Sequence, residues 1–271
     1  MDFEKFFGKG VAERVEAPDV IKGKYGPAEP IYSSTIEEFY YHIDDALKGD
    51  KPFIYILDSM DGLSSEAEKN KFDENKKAHR KGKENTGSYG DGKAKKNSSG
   101  IRQLLTPLRK TGSILIIINQ TRDNFGFGFE KKTRSGGHAL KFYACLEMWS
   151  SVKKKIVKMI RGKNRQLGVE CKIQVKKNRI TGKDRTVAVP IYHSLGFDDI
   201  GSCIDYLIDE EHWKVKDKKI AAKEFDFIGT KEKLARHIET GEMEKDLKDI
   251  VGDVWIEIEE ACEIKRKRRY E

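Results

Sequence analysis

Two short apolar runs, each halted by a polar residue, constrain the fold of this chain more than any other feature. Phe53-Ile54-Tyr55-Ile56-Leu57 stops at Asp58, and Leu115-Ile116-Ile117-Ile118 stops at Asn119-Gln120. Runs of this length without polar alternation read as strands buried on both faces, the habit of parallel sheets covered by helices. A helical signature precedes each. Ser34-x-x-Glu37 opens the stripe Ile36, Phe39, Tyr40, Ile43, Leu47, and a Gly49-Asp50-Lys51-Pro52 turn leads into the first strand. Ile101, Leu104, Leu105 and Leu108 mark a second helix over 100–110, with Pro107 inside it and Thr111-Gly112 closing it before a strand at 113–118. Alternating helices and strands specify an α/β fold.

The stretch from Glu66 to Ser99 is rich in Lys, Asn, Gly and Ser, with only Phe72 and Tyr89 as bulky apolar residues. So little apolar surface does not offset the entropy of ordering, and a mobile basic loop is expected there. Beyond Gln120 comes a glycine-rich loop to Gly137, then a helical turn over 138–144. Alternating segments follow at 145–152, 169–177 and 185–191, with a Thr181-Gly182 turn, and these predict antiparallel strands and a mixed sheet. Helical patterns return after Asp198, at 229–234 and 244–262. Residues 209–271 are read as a small α-rich C-terminal domain appended to a core over 1–208.

Lys and Arg number 53 against 45 Asp and Glu, a formal charge of +8, which suits a polyanionic partner. The cluster Lys265-Arg266-Lys267-Arg268-Arg269 is either a solvated end or a nucleic-acid arm. Cys145, Cys171, Cys203 and Cys262 form no CxxC and no metal-ligand spacing, so zinc and a disulfide framework are not expected and a reducing compartment is. MDFEKFFGKG has no apolar leader core, and no window approaches the ~18 apolar residues that span a bilayer. A cytoplasmic protein without a membrane partner is expected.

An Asp at the tip of a buried strand either begins a turn or holds Mg²⁺ through water. An amide at the tip of the neighbouring strand either bonds backbone or contacts a γ-phosphate and reports its loss to the loop that follows. That loop interleaves Arg122, Lys131, Lys132 and Arg134 with Phe125, Phe127 and Phe129 across Gly126 and Gly128. Cations for phosphates and aromatic faces for bases make a composition suited to single-stranded DNA. Gly136-Gly137 lets a DNA backbone approach main-chain N–H groups, or else makes an ordinary turn before a helix.

Several of these segments together resemble the RecA recombinase family, its viral relatives included. Ile118-Asn119-Gln120-Thr121-Arg122, the glycine-rich loop and Gly136-Gly137-His138-Ala139-Leu140-Lys141-Phe142-Tyr143-Ala144 are similar to the family's second DNA-binding loop and the segment closing it. Leu57-Asp58-Ser59-Met60-Asp61-Gly62-Leu63 is similar to its Walker B strand and turn, and Val175-Lys176-Lys177-Asn178-Arg179 to its V-x-K-N-K segment. The resemblance runs from about residue 34 to 208. It implies a RecA-like ATPase core with a mixed, mostly parallel sheet flanked by helices, using ATP and Mg²⁺ in a homo-oligomeric filament on single-stranded and duplex DNA. Asp58, with Ser59 beside it, would serve the Mg²⁺ shell, and Gln120 would sense the γ-phosphate. Lys177 and Arg179 would reach the nucleotide of a neighbouring subunit. Arg102 and Arg109, seven residues apart on one helix face, would face DNA together with Arg122, Phe125, Phe127, Arg134, Ser135, Gly136, Gly137 and His138 across the loop 121–137.

Two departures qualify the resemblance. Arg179 stands where the family has Lys, a planar fork in place of a point charge. No G-x-x-x-x-G-K-[ST] occurs, so the core is read as N-terminally truncated, with the phosphate-cradling loop on a separate upstream-encoded piece. Asp2-Phe3-Glu4 precedes the Asp58 strand at a distance comparable to the family's D-x-E, which makes Glu4 the candidate carboxylate for orienting the attacking water. The alternatives are an ATP-independent single-stranded-DNA-binding paralogue or mediator, and a protein that has kept only the fold.

Overall fold

A computed structural model of the chain describes residues 4, 7–21, 29–49, 51–83, 92–123, 132–134 and 138–266, and of residues 21, 122, 123 and 132–134 it describes the backbone alone. It divides into two compact units, 1–145 and 146–271.

The first unit begins with a short helix α1 (Lys9–Ala12) and the antiparallel pair β1 (Asp19–Ile21) and β2 (Glu29–Ile31). Its core is organised by helix α2 (Ile36–Ala46), which buries Ile36, Phe39, Tyr40 and Ile43. Complete burial of such side chains contributes roughly 1.5–3 kcal/mol each. The expected cap at Ser34 and Glu37 falls one residue later. Thr35 Oγ1 accepts the Glu38 N–H at 3.1 Å, and Glu38 accepts the Thr35 N–H at 3.1 Å and the Ser34 N–H at 2.7 Å. Glu37 instead turns inward, 5 % exposed, where it accepts the Glu66 N–H at 3.1 Å and pairs with Lys96 at 3.3 Å.

The expected loop over 66–99 is largely helix. Helix α3 (Glu66–Arg80) starts from a second capping box, Ser65 with Glu68, and buries no residue. Helix α4 (Lys93–Thr111) begins well before Gly100 and ends on Gly112 in the left-handed conformation. Good caps and unbranched Lys, Glu and Ala residues hold a helix without an apolar stripe, a route that the burial argument overlooked. Helix α4 packs Ile101 and Leu104 into the α2 core, and Tyr40 donates to the Asn97 side chain at 3.1 Å.

Strands β3 (Ile54–Leu57) and β4 (Ile114–Ile117) pair parallel and in register, Ile54 with Ile114 through Leu57 with Ile117. Tyr55, Leu57, Leu115 and Ile117 face the helices. Ile54, Ile56, Ile114, Ile116 and Ile118 are exposed, so the expectation of strands buried on both faces holds for one face only. A continuous apolar run has the same composition whether one face or two are covered. Strand β4 leads to the pair β5 (Thr121–Asp123) and β6 (Lys132–Arg134), then to helix α5 (His138–Tyr143).

In the second unit a long hairpin, β7 (Leu146–Ile160) and β8 (Lys163–Asn178), joins β9 (Thr186–Tyr192) and β10 (Gly196–Phe197) in an antiparallel sheet of order β10-β9-β8-β7. Parallel strand pairing is thus confined, among the described strands, to β3–β4, and "mostly parallel" does not describe this sheet set. Among the described paired strands only β3 and β4 are joined through α-helices, whereas the short links after β7 and β8 close hairpins. Helix α6 (Asp199–Asp209) packs with the meander β11 (Val215–Lys216), β12 (Lys219–Ala222), β13 (Phe227–Gly229) and with helices α7 (Lys231–Thr240) and α8 (Glu244–Ala261). Their shared core contains Ile204, Leu207, Trp213, Ile220, Leu234, Ile238 and Leu247, so helix 199–209 and the 209–271 segment bury one apolar surface together. Among the described residues no helix is long and apolar enough to cross a membrane.

Candidate functional site

The carboxyl ends of β3 and β4 lie side by side, where open α/β sheets place ligands. The ladder continues past the strands, with Ile118 N–H to Leu57 O at 2.9 Å and Met60 N–H to Ile118 O at 3.0 Å. Asp58 is thereby held beside the Ile118-Asn119-Gln120 segment, exposed, with Ser59 half-buried next to it and a cis peptide between the two. A short 3₁₀ turn, Met60–Gly62, brings Asp61 back across the strand tips. Its Oδ2 accepts the Gln120 N–H at 2.6 Å. Asp61 has a place in the Walker B-like stretch but no role of its own legible in the sequence, because its partner is 59 positions away.

This arrangement brings Asp58, Ser59 and Gln120 to one edge. The Asp58 carboxylate and the Ser59 hydroxyl are oxygen donors of the kind Mg²⁺ takes, which usually binds through one or two carboxylates, water and substrate phosphates. Asp61 is already committed to the Gln120 amide. Among the described residues no group of three or more His, Cys, Asp or Glu forms a self-sufficient metal cage. Glu4 is exposed, and no hydrogen bond or ion pair of the described residues joins it to Asp58 or Gln120.

The segment after Gln120 forms the base of a hairpin, with Thr121 opposite Arg134, Arg122 opposite Thr133 and Asp123 opposite Lys132. The backbones of Arg122 and Arg134 are therefore neighbours at the root of the loop. Phe125, Phe127, Ser135, Gly136 and Gly137 lie outside the described residues. His138 is exposed at the first position of α5. Arg102 and Arg109 are both exposed on α4, off the face that buries Ile101 and Leu104, and Arg102 Nε donates to Ser98 O at 2.9 Å.

Lys177 and Arg179 belong to the second unit, at the end of β8. Asn178 shapes the turn that follows. Its Oδ1 accepts the N–H groups of Ile180 and Thr181 at 3.0 and 3.1 Å, and its Nδ2 donates to Thr181 Oγ1 at 2.7 Å and Lys183 O at 3.0 Å. The Asn side chain fixes the strand end from which both cations project.

Part of the chain is similar to known proteins. Residues 76–198 match the model of the RecA N-terminal domain. Protein RecA of Chlamydia muridarum (strain MoPn / Nigg) is 32% identical over 127 residues, 46% of this chain and 34% of its own length. Protein RecA of Malacoplasma penetrans (strain HF-2) is 32% identical over 119 residues, 44% of this chain and 35% of its own length, and Protein RecA of Phytoplasma mali (strain AT) is 30% identical over 119 residues. The chain spans about a third of the length of these relatives. The matched segment holds Arg102, Arg109, Gln120, the loop, Lys177 and Arg179, and it begins after Asp58 and Glu4. Over residues 76–198 the chain is similar to the RecA N-terminal domain, and over a comparable length to RecA proteins that are about a third identical to it.

Proposed function

We propose that this protein is a DNA strand-exchange protein whose grip on single-stranded DNA is set from the strand tips carrying Asp58 and Gln120. The carrying observation is that the loop hairpin of 121–134 hangs directly from Gln120, whose amide is tied to the Asp58-bearing turn through Asp61 at 2.6 Å. A change of contact at the Gln120 side chain then has a short covalent path into the loop. Arg102 and Arg109 on α4, with Arg122, Phe125, Phe127, Arg134, Ser135, Gly136, Gly137 and His138 along the loop, supply cations, stacking faces and close backbone approach for a single strand.

In this reading ATP with Mg²⁺ is the ligand that couples to the grip, and when bound it supplies the charge to which Gln120 responds. Asp58 and Ser59 are the residues that would hold the metal. Lys177 and Arg179 act at the interface with the next copy in a filament, a head-to-tail contact that extends without closing. No phosphate-binding loop motif occurs in the 271 residues, so the phosphate cradle comes from another polypeptide segment, and Glu4 is the candidate for orienting the attacking water.

The test is single-stranded DNA binding by the chain with and without ATP and Mg²⁺, alone and with an upstream-encoded segment bearing a phosphate-binding loop. Binding that tightens with ATP in the presence of that segment, and loses the ATP response in Gln120→Ala, is the expected result. Binding indifferent to ATP in every mixture would replace this reading with an ATP-independent paralogue. Absence of DNA binding under all conditions would overturn it.

A further inference from the structure

The turn that follows the two cations of β8 is held from a distant part of the chain. Strand β8 ends at Asn178 and β9 begins at Thr186. Between them the chain reverses through Gly182, at φ 73°, whose N–H donates to Asn178 O at 3.1 Å. The Asn178 side chain fixes the shape of this turn through Ile180, Thr181 and Lys183, but not where it sits. Residues 179–184 are all exposed, so no apolar burial anchors them.

The anchor comes from helix α8. Glu259 takes Lys183 on one carboxylate oxygen and Arg185 on the other. One helical turn earlier on the same face, Trp255 lies beneath the Arg185 guanidinium, with Cζ 4.9 Å from the ring centre, and stands 6.3 Å from the Tyr206 ring of α6. Arg185 O in turn accepts the Val175 N–H at 2.8 Å, two positions before Lys177. One residue thus ties the strand that bears the cations to the helix. A single exposed ion pair contributes little. Here one carboxylate, 23 % exposed, is shared by two cations, and one of these also stacks on an indole. Helix α8 is itself fixed, since Leu247 and Val254 are buried in the core of the second unit. Both anchors lie beyond residues 76–198, outside the match to the RecA N-terminal domain.

We propose that Glu259 and Trp255 are positioning residues for Lys177 and Arg179, acting through the turn they clamp, so that the C-terminal helix sets how readily these cations answer a neighbouring copy's nucleotide. The role of the cations rests on the proposed function, whereas the clamp rests on the contacts of α8. A contact between copies has to order every group it uses, and a strand end already held in place loses less freedom on docking. In this role Glu259 touches neither nucleotide nor DNA. Its loss therefore raises the ATP concentration required and leaves the grip on DNA without nucleotide as it was.

The test is single-strand DNA binding by the whole chain with the upstream-encoded segment bearing a phosphate-binding loop, followed by fluorescence anisotropy and titrated with ATP at fixed Mg²⁺. The variants are Glu259→Gln, Trp255→Leu, Glu259→Arg, and Glu259→Arg combined with Lys183→Glu and Arg185→Glu. Amide exchange at Val175 and Gly182 is measured on the same chains without nucleotide. Glu259→Gln should raise the ATP concentration for half-maximal tightening about fivefold, with nucleotide-free binding within about twofold of the parent. Exchange at Val175 and Gly182 should quicken while the amides of α6 stay protected. Trp255→Leu should show the same pattern in part, and the charge-exchanged triple variant should recover part of what Glu259→Arg loses. A merely structural role would weaken nucleotide-free binding as much. An unchanged ATP requirement, an equal loss without nucleotide, a triple variant no better than Glu259→Arg, or unchanged exchange would each overturn the proposal. If the parent shows no ATP response, the proposed function falls and exchange alone decides the clamp: faster exchange in Glu259→Gln retains it, and unchanged exchange overturns it.

Discussion

The Asp61 carboxylate accepts the backbone N–H of Gln120 at 2.6 Å, linking the turn after one strand to the first residues beyond the next. A charge-assisted bond of this length fixes the start of the loop without constraining the Gln120 side chain. Asp61→Ala should therefore speed amide exchange at Gln120 and Thr121, while amides of β3 and β4 remain protected. A destabilisation of about 1 kcal/mol is expected. Asp61→Asn, which keeps an acceptor oxygen, should lie between. Unchanged exchange at Gln120 in Asp61→Ala would show that the loop root is held by other means.

At Gly100 helix α4 packs directly against the Tyr40 ring of helix α2. A Cβ at this position would lie 2.5 Å from Cδ2 of Tyr40, whose ring is buried and whose hydroxyl is engaged with Asn97. Gly100→Ala improves intrinsic helix propensity yet overfills the contact, so stability should fall by about 1–3 kcal/mol. Denaturant unfolding of the single variant checks the sign, and pairing it with Tyr40→Leu should recover part of the loss.

Thr35 caps the helix that supplies much of the first core. Thr35→Ala removes the acceptor for the Glu38 N–H and should cost about 1 kcal/mol. Ser34→Ala should cost less, because its backbone N–H still donates to Glu38 at 2.7 Å. A thermal scan of the two variants ranks them, and the reverse order would place the functional cap one residue earlier.

Glu170 joins two lysines of the neighbouring strand. The hydrogen bond from Lys153, then that from Lys154, hold its carboxyl below the usual carboxylate range. A folded value below the unfolded one means the stabilisation is present above the ordinary carboxylate pKa and is lost as pH falls through the depressed value. Glu170→Gln should thus be less stable than the parent at pH 7, and the gap should close in acid. High salt should narrow it too, since both lysines are more than half exposed. Urea midpoints at neutral and acid pH, at two salt concentrations, measure this.

The pair β3–β4 was legible because a continuous apolar run bounded by turn residues admits few other structures. The uncovered isoleucine face was not, since which side of a strand meets a helix depends on elements elsewhere. The α2 cap was legible to within one residue, because Ser34 and Thr35 are both cap formers and Glu37 and Glu38 are both acidic. Helix α3 escaped notice because it has no core-facing stripe and rests on its capping box. At the candidate site, Asp58 and Gln120 were readable as strand-tip residues, whereas Asp61 became visible only when the two strand ends were placed together.

The isoleucine face has a practical consequence. Ile54, Ile56, Ile114, Ile116 and Ile118 form one wetted apolar sheet surface on a protein whose net charge of +8 otherwise keeps copies apart. Its solution behaviour is therefore colloidal as much as conformational. Salt that screens the repulsion leaves this face free to self-associate, and dilute, low-salt buffer is where the single chain stays dispersed. Light scattering against ionic strength, followed for Ile56→Thr and Ile116→Thr, reads that balance directly and sets the salt window within which any binding titration of this chain is interpretable.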